Sequence, residues 1–435
     1  MNNENIISKI KVIKNSEYEK LVNFNGNLLI PIHRWFNIKE GYSKALIKNL
    51  IRRFNIQQSD LIMDPFTGSG TTLLAAKEKG INGIGFEINP FLAFLTKLKL
   101  TDFTQEERKE LLEELKKIKK INFKPSISPP KLSISNKLFG NRLNEIMMLK
   151  EYILSISNIK KRDFLFLALL TILEDVSIAK KDGNGLKYPK NKMPKEVLPT
   201  FISKLYTMIQ DLQFSDCSYV ENYLFSEDVR NLYDLINNKK NLVTTDLINN
   251  VNIDYIKNFN DKISLIVFSP PYMNCFDYTE VYKMELWFGD FIKDYDELKI
   301  LRNRSLVSHL NTRLEKRRLL NDRYINFFTS RINKQKLWNR KIPLMIEGYF
   351  EDMWITLKGL YKLLKPGHYC VIVVGNSAYG NIAIPTDLIL GNLGLKVGFT
   401  ECKIEVARHL GTSSQQYKKV KNINFLRESL VILKK

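Results

Sequence analysis

Apolar residues recur with two different periods along the chain, and the switches between them mark out its elements. Residues 28–54, LLIPIHRWFNIKEGYSKALIKNLIRRF, predict a short extended entry and then an amphipathic helix with Ala45, Leu46, Leu50 and Phe54 on one stripe. LIMDPFTGSGTTLLAAKEKG follows at once. Its apolar start, glycine-rich middle and Ala/Leu-rich end describe strand, tight turn and helix, with Gly80 as the helix stop. INGIGFEINP reads as a second strand ending in an acid. Together these form a βαβ unit, so the expected fold is α/β, a Rossmann-like doubly wound sheet.

From Asp102 to about Lys240 the pattern turns mainly helical, with QEERKELLEELKKIKK as a solvated helix and DFLFLALLTILEDVSIA as a buried one. SISPPKLSIS and the basic KKDGNGLKYPKNKMPK read as loops. The α/β pattern returns at ISLIVFSPPY, where a continuous apolar run ends in a Pro-Pro turn, as a buried strand with a loop at its carboxyl end would. After a further insertion the sheet is expected to close with a helix around MWITLKGLYKLLKPG, a strand HYCVIVVGN, a helix near TDLILGNLG, and the strands KVGFTECKIEV and ESLVILKK. The expected organisation is three core segments (20–101, 241–292 and 343–435) separated by a large helical insertion (102–240) and a second, basic one (293–342).

Charge sharpens that division. Lys and Arg number 67 against 46 Asp and Glu, a formal charge of +21, which calls for a polyanionic partner. Between Lys299 and Lys341 stand thirteen Lys/Arg and only two acids, Glu315 and Asp322, so half of the excess sits in a tenth of the length. The four cysteines (Cys217, Cys275, Cys370, Cys402) form no CxxC pair, and His33, His309, His368 and His409 show no metal spacing. No metal site is expected, and each His reads as structural. No apolar run is long enough to span a bilayer, and MNNENIISKIKVIKN has no signal-peptide pattern, so a cytoplasmic protein is expected.

Two motifs carry chemistry. In Asp64-Pro65-Phe66-Thr67-Gly68-Ser69-Gly70-Thr71-Thr72 the glycines let backbone approach a ligand and accept positive φ. The spacing is neither the GxGxxG of dinucleotide folds nor the GxxxxGK[ST] of phosphate loops. Nineteen residues after Gly68 stands Glu87, at the end of the second strand, where an acid takes both ribose hydroxyls in nucleoside-binding βαβ folds. The second motif is Ser269-Pro270-Pro271-Tyr272. A base amine has its lone pair delocalised into the ring and is a poor nucleophile until hydrogen bonds draw it toward sp3 geometry. The Ser269 hydroxyl and the Pro270 carbonyl offer two acceptors on a chain stiffened by prolines, and Tyr272 offers a face for an extruded base.

DPFTGSGTT followed by SPPY resembles the S-adenosylmethionine-dependent amino-methyltransferases of DNA, particularly the N4-cytosine group of restriction-modification systems. The resemblance implies that the turn at Asp64, Pro65, Phe66, Gly68, Ser69 and Gly70 binds S-adenosyl-L-methionine. It implies that Glu87, with Ile88 beside it, holds the ribose, and that SPPY takes the target amine of a base flipped from double-stranded DNA. HRWFNIKEGYS (His33 to Ser43) is similar to the family segment that packs beside the methionine part of the cofactor. A further family acid, near the adenine amine, falls on Asp246 by spacing, with Asp228 as the alternative. The resemblance also implies a cognate restriction endonuclease acting separately.

Ser at position 269 favours cytosine N4, since adenine N6 enzymes usually carry Asp or Asn there. Adenine N6 methylation, an RNA amino-methyltransferase and a noncatalytic nucleic-acid-binding subunit stay open. C5-cytosine chemistry lacks its Pro-Cys nucleophile, because Cys275 follows Asn274. Either insertion can read DNA sequence, and GTSSQQY (Gly411 to Tyr417) is a polar loop that faces DNA, cofactor or solvent.

Overall fold

A computed structural model describes residues 10–183, 185–214, 220–315, 320–410 and 423–435. In chain order its main elements are β1 (Lys11–Lys14), α1 (Lys44–Arg53), β2 (Leu61–Asp64), α2 (Thr71–Lys77), β3 (Asn82–Phe86), α3 (Pro90–Leu100), α4 (Gln105–Ile118), α5 (Arg142–Leu154), α6 (Ile159–Val176) and α7 (Val197–Asp211). There follow β4 (Asn222–Phe225), β5 (Ile263–Phe268), α8 (Tyr295–Arg304), α9 (Arg323–Asn333), α10 (Ile342–Leu363), β6 (Leu364–Gly375), α11 (Thr386–Val397), β7 (Glu401–His409) and β8 (Arg427–Lys434).

Among the described residues eight strands form one sheet, in the order β1-β7-β8-β6-β5-β2-β3-β4. Every neighbouring pair is parallel except the two made by β8, which runs antiparallel between β6 and β7. The expected α/β doubly wound sheet is therefore present. Residues of β5 alternate between its faces: Leu265 and Val267 pack with α1 and α2, whereas Ile266 and Phe268 pack with α10 and α11. A strand covered on both faces must be apolar throughout, which is why ISLIVF reads as one unbroken run. Helices α3 to α7 share a separate core that includes Phe91, Phe164, Phe201 and Leu205.

The structure departs from expectation in five places. The entry before α1 is two 3-10 turns, Asn25–Leu29 and His33–Trp35, not extended chain. The buried stripe of α1 is Leu46, Ile47, Leu50 and Ile51, with Ala45 exposed and Phe54 half-buried at the cap. Asn222–Phe225, within the stretch expected to be a helical insertion, is the edge strand of the main sheet beside β3. The basic loop near residue 185 forms a small hairpin, Lys180–Asp182 with Gly185–Lys187, and Lys396 and Val397 end a helix, so β7 starts only at Glu401. Gly411 to Tyr417 and Cys217 lie outside the described residues. Among the described residues no helix is long and apolar enough to cross a membrane.

Candidate active site

Strand order reverses between β2 and β5: from β2 the chain winds outward through β3 to β4, and from β5 the other way to β6. Ligands of open α/β sheets bind outside the carboxyl ends of the strands at such a point. Here the two loops leaving those ends are the glycine turn after β2 and the SPPY loop after β5. Pro65, Phe66, Gly68, Glu87, Ile88, Ser269 and Pro271 all line one cleft of about 910 Å³, open solvent at its mouth included.

The turn is held from beneath. Asp64 is 1% exposed, and its carboxylate accepts from the Tyr42 hydroxyl at 2.8 Å and the Phe66 amide at 3.0 Å, so it braces the turn instead of facing the cleft. Burial pushes its pKa up to about 6. Gly68 (φ +55°) lines the cleft, and a Cβ there would stand 3.2 Å from Ile38 Cδ1. Gly70 (φ +79°) lets α3 approach, since its Cβ would stand 2.9 Å from Thr96 Cγ2. Ser69 is buried, and its carbonyl accepts from Lys99 Nζ at 3.0 Å. Lys99 also donates to the His33 carbonyl at 3.2 Å, tying the turn to the segment before α1. Burial pushes that lysine down to about 7. Its place in the apolar run LAFLTKLKL is a signal that it shares with the half-buried Lys97.

Glu87 closes the turn from the other side. Its Oε2 accepts from the Gly68 amide at 2.7 Å and its Oε1 from the Asn89 amide at 2.8 Å. Burial pushes its pKa up to about 7, against the pull of these amides. This acid, the flat apolar walls of Phe66, Ile88 and Leu92, and the floor that a Gly68 Cβ would narrow suit an adenosine group. Glu40, Glu227 and Asp228 also line the cleft, the latter two paired with Arg304 and Arg230 of the same wall.

Asp228 and Asp246 separate clearly. Asp228 lines the cleft and caps the 3-10 turn Val229–Asn231; Arg230 holds its carboxylate at 2.7 Å and reaches Asp352 at 2.6 Å. Asp246, the acid favoured by spacing, is 1% exposed and absent from the cleft wall. Its carboxylate accepts from the backbone amides of Ile248, Asn249 and Val251, so it is committed to its own loop. The structure therefore brings Asp228, the alternative, to the cleft wall and leaves Asp246 away from it.

In the SPPY loop Ser269 and Pro271 face the cleft while Pro270 is buried. Tyr272 is not on the cleft wall: its ring lies against Gly375, where an added Cβ would stand 2.9 Å away. Ser269 Oγ donates to the Tyr272 hydroxyl at 3.3 Å, which donates to Glu428 Oε1 at 2.7 Å, and Arg408 Nε meets the other Glu428 oxygen at 2.6 Å. The aromatic residue that does line the cleft on this side is Tyr278, ten residues beyond the strand and outside any motif. Cys275 is half-buried with its Sγ 3.4 Å from the Tyr379 hydroxyl. Among the described residues no three His, Cys, Asp or Glu side chains converge as metal ligands would.

A family model described as DNA methylase matches residues 9–97, the segment that holds the glycine turn and Glu87. Similarity to characterised proteins runs much further. The type II methyltransferase M.BsoBI of Geobacillus stearothermophilus is 28% identical over 96% of this chain and 88% of its own. The type II methyltransferase M.MvaI of Kocuria varians is 24% identical over 90% and 87%. The type II methyltransferase M.AvaI of Nostoc sp. is 30% identical over 91% of this chain and 85% of its own. Such coverage spans both insertions as well as the sheet. The chain belongs to the type II DNA methyltransferases and is an S-adenosylmethionine-dependent enzyme of a restriction-modification system.

Proposed function

We propose that this enzyme methylates the exocyclic N4 of cytosine in double-stranded DNA, on a base extruded from the helix. The observation that carries the reading is that Ser269 and Pro271 share one cleft with Phe66, Gly68 and Glu87. S-adenosylmethionine, when bound, supplies an electrophilic methyl group. The protein's part is to hold and orient. Glu87 takes the ribose hydroxyls, Phe66 and Ile88 flank the adenine, and Asp228 stands near the adenine amine, fixed by Arg230.

Ser269 then acts as an acceptor, and the structure gives a reason for that polarity. Glu428, paired with Arg408, accepts from the Tyr272 hydroxyl, and Ser269 in turn donates to Tyr272. The serine lone pairs are left for an amine N–H, with the Pro270 carbonyl as the second acceptor. Drawing both N–H bonds frees the amine lone pair for in-line attack, so catalysis rests on positioning and on bonds that strengthen as positive charge develops on N4. The exposed cations of residues 293–342 contact phosphate, and a separate endonuclease shares the recognised sequence.

Transfer of labelled methyl from S-adenosylmethionine to unmethylated DNA, followed by nucleoside analysis, tests the reading. N4-methylcytosine is expected; N6-methyladenine as the labelled product overturns the assignment of the base.

A further inference from the structure

His309 reads from sequence as a structural histidine, yet it lies on the cleft wall with Ser269, beside Ser308 and Thr279. It is 3% exposed, and its surroundings settle which ring nitrogen carries the proton. The Asn311 amide donates to Nδ1 at 3.3 Å. Asp277, the nearest acid, lies 3.8 Å from Nδ1 and is already satisfied. One of its oxygens accepts from the Thr279 amide and hydroxyl, the other from Arg302 Nε at 3.0 Å and Asn311 Nδ2 at 2.9 Å. Nδ1 is thus an acceptor and Nε2 bears the hydrogen. Among the described residues nothing accepts from Nε2, and it is not one of the sealed, partnerless atoms, as both ring nitrogens of His33 are.

The histidine is also held in place. Its carbonyl accepts from the Thr312 hydroxyl at 3.0 Å, and the neighbouring Ser308 carbonyl accepts from the Cys275 amide at 3.0 Å, which joins this segment to the loop beyond SPPY. Burial lowers its pKa, only partly opposed by Asp277, which keeps the ring neutral.

We propose that the Nε2–H of His309 donates to a ring acceptor of the extruded base, O2 or N3 of cytosine, and holds the base in the plane where its amine meets Ser269. The proposal rests on the reading of the cleft given above. A donor at N3 or O2 draws electron density away from the amine, so this bond cannot speed methyl transfer. Its use is to bind and orient, and it refuses a base that presents N–H at that edge, because two donors would then face each other. His309 is accordingly a positioning and specificity residue, and its loss is read in KM for DNA rather than in kcat.

The test compares His309→Gln, which keeps an N–H donor, with His309→Glu, which has the same length but only accepts, and with His309→Leu, which does neither. Steady-state transfer of labelled methyl to unmethylated plasmid DNA is measured for each, with cofactor affinity by calorimetry and melting temperature as controls. The Leu and Glu variants are expected to raise KM for DNA roughly ten- to hundredfold, with kcat and cofactor affinity close to wild type and Gln restoring most of the loss. Equal KM values for Gln, Glu and Leu overturn the proposal, whether all are normal or all impaired. Should the Leu variant melt early, the Gln and Glu pair decides alone. Wild-type product analysis separates this from the choice of base. N6-methyladenine there overturns the cytosine reading, while the Gln and Glu comparison still tests the donor, since adenine also presents a ring acceptor, N1, beside its amine.

Discussion

Replacing Tyr272 by Phe removes a single oxygen and separates two roles that sequence alone merges. If the ring merely stacks on the base, Phe serves as well as Tyr. If the hydroxyl fixes the polarity of Ser269, Phe fails. The structure favours the second role: the ring rests on Gly375 away from the cleft wall, and the hydroxyl bridges Ser269 and Glu428 at 3.3 and 2.7 Å. In the variant Glu428 keeps Arg408, so no buried charge is orphaned and the fold loses about 1–2 kcal/mol. The Ser269 hydroxyl loses its acceptor and samples three staggered positions, of which one presents the lone pairs correctly, a factor of about three. The broken chain no longer polarises the serine, and about 0.5–1 kcal/mol for that brings the expected fall to roughly tenfold in the rate of transfer. Single-turnover methylation of plasmid DNA at saturating cofactor measures it without the complication of product release. A Tyr272→Phe enzyme with the wild-type single-turnover rate would refute the relay and leave Tyr272 a packing residue.

Further outcomes follow from the same geometry. Gly68→Val puts a β-branched residue at φ +55° against Ile38, and cofactor binding by calorimetry should fall below detection; a normal isotherm counts against the turn as the cofactor seat. Glu87, pushed up to about 7, accepts ribose hydroxyls best when ionised, so cofactor affinity should rise with pH through that value and level off above it, whereas Glu87→Gln should be weaker and flat. In the ligand-free fold Glu87 and Asp64 have raised pKa values. Their stability contribution is complete below the ordinary carboxylate range and lost as pH rises through about 7 and about 6, while Lys99, pushed down to about 7, acts in the opposite sense above it; binding is therefore the cleaner readout than melting. Asp228→Asn should weaken cofactor binding several-fold, roughly, and also lower the melting temperature, since Arg230 keeps only Asp352 as its acid, whereas Asp246→Asn should lose about 1–3 kcal/mol of stability with cofactor affinity unchanged; identical isotherms for the Asp228 variant and wild type would return the adenine-side acid to an open question.

The turn after β2 and the loop after β5 were legible because each follows a strand buried on both faces, and Gly or Pro then punctuates it. β1 and β4 were not. KVIK and NYLF are four-residue strands at opposite edges of the sheet, too short for a period to register, and only their partners β7 and β3 define them. Asp228 and Asp246 look alike in sequence, each beginning a tight turn that its own carboxylate caps. What separates them is tertiary: Asp228 follows the carboxyl end of β4, whereas Asp246 comes back beside that strand and bridges to Phe225. Tyr278, Lys99 and His309 belong to no motif, because their roles arise from segments brought together only by the closed sheet.

The basic insertion changes meaning most between sequence and structure. Counted along the chain, its cations form one block of charge awaiting a polyanion, but Arg302 is spent on Asp277 and Glu280. Arg304 gives its carbonyl to Arg230, which holds Asp228, while Lys334, Lys336, Arg340 and Lys341 stay exposed. One stretch of chain thus supplies free surface charge at its far end and, at its near end, the bolts and the wall of the catalytic cleft, Ser308 and His309 included. A segment built this way is no detachable recognition module. Its exposed cations and the cleft wall at Ser308 and His309 belong to one stretch of chain, so the insertion cannot be exchanged without rebuilding the cleft.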